Sequence, residues 1–392
     1  MKYIRTYGDY NSWKLDYSDT SRGFRLKPTL YKYSDVGVES KILLELDDPR
    51  KHKDSTGDST YIEITLDSDD EFSFYIGNAP SGTQTIRDCK VDWGDGNGGS
   101  TRLTADDKGF KLSHNYKAGS YSIELYAIED YSIIGDTGSY KSFISPIESI
   151  KRVILGSRVV SIGTYAFYNC SNLTSIHIPE SVTGIGERAF NQCSNLTSVY
   201  IPESVTSIGD YTFESCYSLT SVHIPEGVTS IGYGAFGDRT SLTSVHIPEG
   251  VTSIAGGILY DCTSLTSVHI PEGVTSIGES LGDGAFQLCS SLTSIYIPRS
   301  VTILGRNTFR GCTSLTSIDI PEGVTTIEDG TFNNCTSLSS ISFHNTTAPI
   351  INGDVFSYLP DSGILHIKPG ATGYDDLLGG YFSPNWRIVE DL

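Results

Sequence analysis

A unit of 23 residues repeats along the chain, and this repeat constrains the fold more than any other feature of the sequence. The unit reads L-T-S-V-H-I-P-E-G-V-T-S-I-G-x-x-A-F-x-x-C-x-S and runs through residues 149–345. A period of about 20–29 residues on an L-x-x-I-x-I core predicts a solenoid of stacked coils. One step is 27 residues long because of extra residues within 279–283, which we expect to form a surface loop. The repeated proline occurs at Pro179, Pro202, Pro225, Pro248, Pro271, Pro298 and Pro321.

Each coil is predicted to contain two short strands and a turn-rich segment. Ile176 and Ile178 share one face of the first strand, because alternate strand residues point the same way, and the proline that follows ends it. Val182 and Ile185 form a second inward segment, and residues 187–193 suit one or two helical turns. A single coil cannot bury these apolar groups, so stability must come from the interfaces between neighbouring coils.

Seven of the eight cysteines occupy one position of the repeat, and Arg239 takes that position once. Disulfide or metal frameworks show short pairs such as C-x-x-C, whereas this spacing favours a ladder of small buried thiols. Some disulfides or a metal site are the less favoured alternatives. Cys89 lies outside the repeats. The ladder positions are Cys170, Cys193, Cys216, Cys262, Cys289, Cys312 and Cys335.

The chain changes character upstream of the repeats. Residues 61–66 and 71–76 alternate polar and apolar residues, as half-buried strands do. V-D-W-G-D-G at 91–96, H-N-Y at 114–116 and G-S-Y-S-I-E-L at 119–125 follow. This combination resembles the PKD (polycystic kidney disease) domain, and the resemblance implies an immunoglobulin-like (Ig-like) β-sandwich.

The W-G-D-G motif has a structural and a functional interpretation. Asp92 and Asp95 are close enough in sequence to suggest a calcium site. Asp-Gly is also a strong hairpin signal, and Trp93 suits the core of a sandwich. The structural interpretation is favoured, and the calcium site stays the alternative.

The repeats closely resemble the BspA-type bacterial surface leucine-rich repeat, which carries the same I-P-x-x-V-T-x-I-G-x-x-A-F-x-x-C-x-x-L pattern over residues 149–392. The resemblance implies a mainly β leucine-rich repeat solenoid of 23-residue coils with a C-terminal cap. Members of this family are mostly adhesins or uncharacterised surface proteins. The pairing with a PKD-like domain is similar to proteins of gut Bacteroidota and their phages.

Four parts are predicted along the chain. Residues 1–57 are rich in aromatic and basic side chains and form either extra strands on the sandwich or an anchor onto another protein, such as another virion protein. The PKD-like sandwich follows at 58–146, and the solenoid occupies 147–345. Residues 346–392 break the repeat and supply bulky apolar groups, as the cap of a solenoid must.

Composition excludes several classes of function. The net charge of −19 disfavours nucleic acid and anionic membrane surfaces as partners. The sequence contains no apolar run typical of a secretory signal or a membrane span. It also lacks the G-x-S-x-G, H-E-x-x-H, P-loop and dinucleotide motifs, so we expect neither an enzyme nor a bound cofactor.

One outward position of the first strand is the candidate binding site, and we name these residues the strip. Exposed Tyr and His supply contact area at little entropy cost, although plain solvated positions multiplied by duplication would look the same. Three neighbouring histidines would also suit zinc, but the carboxylates that orient such ligands are not identifiable in the sequence. The strip consists of His177, Tyr200, His223, His246, His269, Tyr296 and Asp319.

Two non-catalytic functions fit these features. The first is a phage virion component, such as a fibre, decoration or receptor-binding protein, whose solenoid faces outward to bind a protein or glycan surface. The second is a BspA-type cell-surface adhesin that binds host matrix or other cells. The absence of a secretory signal and the reduced thiols favour the virion component.

Overall fold

A computed structural model shows the chain as two compact units, Met1–Asp58 and Ser59–Leu392. It describes nearly all of the repeat region and, further upstream, mainly the strands. The described residues are 13–16, 29–34, 37–43, 59–66, 70–78, 89–96, 105–106, 109–127, 131–133, 144–145, 149–278 and 282–392.

The first unit contains one antiparallel sheet of three strands, in the order β1-β2-β3. Most of residues 1–57 lie outside the described part of the chain, so their attachment role stays a prediction, as do the four predicted parts. The strands are β1 (Trp13–Asp16), β2 (Thr29–Ser34) and β3 (Gly37–Leu43).

Among the described residues, eight strands of the second unit precede the repeats. β4 and β6 both pair with β9, and β5 pairs with β8 and β10, all antiparallel. Several of their connections lie outside the described residues, and the Ig-like assignment stays a prediction. The strands are β4 (Thr60–Leu66), β5 (Asp70–Asn78), β6 (Cys89–Asp92), β7 (Ala105–Asp106), β8 (Gly109–Tyr116), β9 (Gly119–Ala127), β10 (Tyr131–Ile133) and β11 (Ile144–Ser145).

The repeats form a parallel β-solenoid, in which most coils contribute short strands to two sides. The strip lies on one side, and the other side carries the second inward segment of each coil. The elements are β12 (Ile150–Ile154), β13 (Val159–Ile162), β14 (Ser175–His177), β15 (Gly184–Ile185), β16 (Ser198–Val199), β17 (Ser207–Ile208), β18 (Ser230–Ile231), β19 (Ser244–His246), β20 (Ser253–Ile254), β21 (Ser267–His269), β22 (Ser276–Ile277), β23 (Ile303–Leu304), β24 (Ser317–Ile320), β25 (Thr326–Ile327), β26 (Ser340–Phe343), β27 (Ile350–Ile351), β28 (Ser362–Ile367), α1 (Tyr374–Tyr381) and β29 (Asn385–Glu390).

Strands upstream of the repeats continue both sides of the solenoid. β12 pairs antiparallel with β4, so that Val153 lies opposite Ile62, and both residues are buried. β13 pairs in parallel with β10. Because an open edge of a sheet exposes unpaired N–H and C=O groups, these strands cover the first coil and act as its N-terminal cap.

In most coils one aromatic ring and one thiol fill the interior; Leu259 replaces the ring once and Arg239 replaces the thiol once. The rings of Phe167, Phe190 and Phe213 stack in parallel with centroids 5.2 and 5.3 Å apart. The seven predicted ladder cysteines are buried, and they form no disulfides. Six of their Sγ atoms lie 3.1–3.3 Å from a main-chain carbonyl of the preceding coil; Cys193, for example, donates to Phe167 O. The thiols therefore satisfy backbone acceptors inside the core.

The third side of the solenoid, the turn side, is built differently from the prediction. The prediction of one or two helical turns at residues 187–193 is wrong, because the segment forms consecutive turns. Arg188 and Gln192 have positive φ angles of 52° and 62°. Alternate amides donate to the next coil, as Phe190 N does to Thr212 O at 2.9 Å. Those N–H groups are thus unavailable for a helical ladder.

Both strand ladders are interrupted near one coil, and the ladder on the strip side is interrupted again between β21 and β24. β18 ends one sheet and β20 begins another, and among the described strands the two do not pair. Arg239 lies between them in the chain, in place of the ladder cysteine. On the turn side the coils stay joined, since Phe236 N donates to Ile258 O at 3.0 Å and Asp238 N donates to Tyr260 O at 2.6 Å.

The C-terminal residues lie against the last coil and close it. β29 pairs in parallel with β28. The indole of Trp386 is buried under the end of the solenoid, and its Nε1 donates to Pro360 O at 2.9 Å. Among the described residues, no helix has the length and apolar character needed to cross a membrane.

Candidate functional site

The strip forms a row on the strand side of the solenoid, one residue per coil. Buried Ile and Val residues alternate with its members, so the strip side chains point outward. His246 lies opposite His269 in the β19–β21 pairing, and their rings stack 4.7 Å apart with planes 8° from parallel. His223, His269, Tyr296 and Asp319 are exposed, whereas His177, Tyr200 and His246 are half-buried.

Five members of the strip each contact a glutamate of the preceding coil. The imidazole side chains of His223, His246 and His269 remain 50%, 43% and 52% exposed while they make these contacts. The rings are therefore held in place and still accessible to a partner. Tyr200 Oη donates to Glu180 at 3.2 Å, the Nε2 atoms of His223, His246 and His269 lie 3.5, 3.3 and 3.6 Å from Glu203, Glu226 and Glu249, and Tyr296 Oη donates to Glu272 at 2.7 Å.

The two ends of the strip differ from its middle. At the first end, burial and then the charge of Arg152 lower the pKa of His177. At the other end the charge order reverses, since Arg299 occupies the glutamate position and Asp319 occupies the strip position. The hydrogen bond to Glu272 raises the pKa of the Tyr296 phenol. The strip thus runs from a neutral imidazole to an exposed carboxylate.

One member of the row was missed by sequence reasoning. His366 pairs in register with Ser342, which itself pairs with Asp319, so the row continues into the cap. Its Nδ1 lies 2.9 Å from Asp391 Oδ1. The signal was the strand pattern I-L-H-I at residues 364–367, which repeats the strand of the regular unit.

The two metal alternatives lack a cluster in the described part of the chain. No group of three or more His, Cys, Asp or Glu residues there has an arrangement suited to a metal ion. The glutamates that orient the strip histidines are now identified, but each contacts a different ring. Asp92 Oδ1 accepts from Gly94 N at 2.9 Å, and Asp95 Oδ2 lies 2.7 Å from His114 Nε2. Trp93, between them, is buried, which fits the structural interpretation of the motif.

Comparison with protein families gives a match over most of the repeat region. The model described as "BspA type Leucine rich repeat region (6 copies)" matches residues 139–263 and 231–362. Together these segments cover more than half of the 392 residues. Among curated proteins, none matches the chain significantly.

Several solved structures are similar to parts of the chain. A leucine-rich repeat protein from T. pallidum is 30% identical, with 48% of this chain and 83% of that chain covered and a TM-score of 0.41. One from Bacteroides ovatus is 20% identical, with coverage of 79% and 100% and a TM-score of 0.33. A leucine-rich cell surface protein from Faecalibacterium prausnitzii is 28% identical, with coverage of 57% and 80% and a TM-score of 0.28. These low TM-scores carry no inference about function.

Proposed function

The chain belongs to the BspA-type leucine-rich repeat family, whose repeats serve non-catalytic binding, and we propose that it is a cell-surface adhesin. Its ligand is a protein of another cell or of a host matrix, and the strip is the binding surface. The virion role predicted from the sequence has no further observation in its favour and stays a prediction.

The observation that carries this proposal is that contacts within the protein restrict the conformations of the strip side chains. The ring of each strip residue from Tyr200 to Tyr296 contacts the carboxylate of a glutamate in the preceding coil. Binding normally costs about 0.5–1.5 kcal/mol for each rotamer-rich side chain that becomes immobilised. Contacts that favour one ring position in the free protein reduce that cost, by little at the exposed His–Glu pairs and by more at Tyr296, which donates to Glu272 at 2.7 Å and remains 56% exposed.

The charge of the strip restricts the partner. Five glutamates flank the rings. The side chains of Glu203, Glu226 and Glu249 are 59%, 60% and 66% exposed. An extended acidic surface with aromatic rings between the carboxylates favours a protein segment rich in Lys and Arg. Such a segment would pair with the carboxylates and pack its aliphatic stems on the rings.

The test is adhesion of the purified protein and of the double variant Tyr200→Ala/Tyr296→Ala to intact bacterial cells and to immobilised matrix extract. Aromatic anchors commonly contribute about 1–3 kcal/mol each, so the double variant should bind at least tenfold more weakly. Tyr217→Ala is the matched control, because this exposed tyrosine lies outside the strip and bonds to Asp238. Equal binding by the double variant and the wild type would show that the strip is not part of the interface.

A further inference from the structure

A shallow groove on the turn side, outside the strip, has the features of a second binding site. In every coil the residue one step before the ladder position has a positive φ angle. At one coil this residue is Gly311, with φ 75°, and the missing side chain leaves a gap in the row. The groove has a volume of about 380 Å³. The row along this part of the solenoid is Leu288, Gly311, Asn334 and Tyr358.

Two bulky residues of this row have a strained backbone conformation, Leu288 in the coil before Gly311 and Tyr358 two coils after it. Leu288 and Tyr358 have φ angles of 63° and 62°. This region is unfavourable for a residue with a side chain, because its Cβ approaches the following carbonyl oxygen. The Leu288 side chain reaches over the glycine, since a Cβ built on Gly311 would lie 2.7 Å from Leu288 Cδ2. Tyr358 is 74% exposed, so burial of its ring does not repay the cost.

The guanidinium of Arg310 lies in the groove without an ion-pair partner among the described residues, in a chain with a net charge of −19. Asp329 accepts from Asp354 N and pairs with Arg306 at 2.6 Å, and these contacts, with a further contribution from the charge of Arg310, lower its pKa. The amides of Asn333 and Asn334 also line the groove, and each amide offers donors and an acceptor.

We propose that this groove binds an acidic saccharide, that is, a glycan that carries a carboxylate. The exposed ring of Tyr358 provides a face for the apolar side of a sugar ring, and the asparagine amides suit sugar hydroxyls. The guanidinium of Arg310 matches a carboxylate in two parallel hydrogen bonds. Gly311 N donates to Asn333 O and Asn334 N to Ser357 O, so the groove crosses successive coils. Its lining from Leu288 to Tyr358 covers four coils, or three steps of about 4.8 Å, so the groove spans about 14 Å, which suits a short oligosaccharide.

This site is independent of the proposed adhesion through the strip, because the two surfaces share no residue. Isothermal titration calorimetry on the full chain would use trigalacturonate and sialyllactose as acidic probes and lactose as the neutral one. We expect at least one acidic probe to bind about tenfold or more tightly than lactose, since a charge-assisted hydrogen bond contributes about 1.5–3 kcal/mol. Failure of both acidic probes to bind, or equal binding of lactose, overturns the proposal.

Variants locate the site. Arg310→Gln should remove the preference for acidic probes, and Tyr358→Ala should weaken binding about tenfold. Asn334→Asp keeps a residue that tolerates positive φ, and its added carboxylate should repel acidic probes selectively. Arg299→Gln and Tyr296→Ala are the matched controls on the strip side and should bind the probes as the wild type does. If the controls lose binding and the groove variants retain it, the groove is not the site.

Discussion

Arg239 occupies the position that holds a thiol in seven other coils, and its side chain is fully buried. Nε and Nη2 both donate to Phe213 O, at 3.2 and 2.9 Å, whereas Nη1 has no hydrogen-bond partner. Burial lowers the pKa of Arg239, which shows that the core disfavours the charge. The guanidinium lies 5.7 and 5.2 Å from the ring centroids of Phe213 and Phe236. Contact with those two rings offsets part of the free-energy cost of burying the guanidinium.

We expect Arg239→Cys to raise the free energy of unfolding by about 1–2 kcal/mol. The substitution removes an unsatisfied buried donor, which costs about 1–3 kcal/mol, and a desolvated ion, which costs several more. It forfeits the packing of two methylenes, Cγ and Cδ, at about 0.8 kcal/mol each, and cation–π contacts of about 1–2 kcal/mol. The new thiol would take over Phe213 O, as Cys216 donates to Phe190 O at 3.2 Å.

Equilibrium denaturation of the wild type, Arg239→Cys and Arg239→Ala tests this reasoning. Alanine also removes the charge but leaves Phe213 O without its donor and opens a cavity. It should therefore unfold at least about 2 kcal/mol more easily than the cysteine variant. Because solenoids can unfold in stages, amide exchange in β18 and β20 should be followed in the same variants. Restored pairing of these strands would slow exchange in the cysteine variant.

One result would refute the argument. If Arg239→Cys unfolds more easily than the wild type with the same denaturant dependence, the methylene packing and the ring contacts outweigh the buried charge. The residue would then be a stabilising part of the core, and the interruption between β18 and β20 would need another cause.

Four further outcomes are expected. The ladder thiols should resist a thiol reagent in the native state and react fully after denaturation. Burial raises the pKa of Cys216 to about 11 and that of Cys262 to about 12, so little reactive thiolate is present in the native protein. Rapid native labelling at more than two sites would contradict this prediction. The pKa of His177 is lowered in the folded state, so the unfolded chain binds more protons, and stability should fall as the pH drops below about 6.5. His177→Asn should flatten that dependence in pH-series denaturation. Gly186→Ala should cost about 1–3 kcal/mol, because its Cβ would lie 2.6 Å from Thr164 N, whereas Gly273→Ala, with its nearest contact at 3.8 Å, should be neutral in thermal denaturation. Deletion of residues 1–57 should leave a folded, soluble protein, as size-exclusion chromatography and circular dichroism would show, and failure to fold would place the segment in the core of the second unit.

Much of the solenoid was predictable because the repeat reports which residues point inward. Ile176, Ile178, Val182 and Ile185 are buried as the spacing requires. Periodicity does not distinguish a helical turn from consecutive turns, which is why residues 187–193 were predicted wrongly. Their amides find partners in the next coil, and a single unit of the repeat contains no information about that neighbour.

The sequence predicted the residues of the strip but not their contacts with the glutamates. The strip and the neighbouring glutamates are visible in the sequence, since both recur with the repeat. Which glutamate meets which ring depends on the offset between coils, and the structure places each carboxylate against the ring of the following coil. The groove beside Gly311 was not foreseen, because glycine at a turn position usually marks only a conformational need.

The sequence by itself determined the period, the inward residues, the thiol ladder and the family, because each depends on a pattern that one chain repeats along its length. Only the tertiary structure decided how the coils meet. It joins the upstream strands to both sides of the solenoid and places a glutamate beside each of five strip rings. It also buries Arg239 and leaves the row of turn-side side chains open at Gly311. These features depend on contacts between residues at least one full coil apart. The distances between such residues are set by stacking, which the spacing of residues within a unit does not specify.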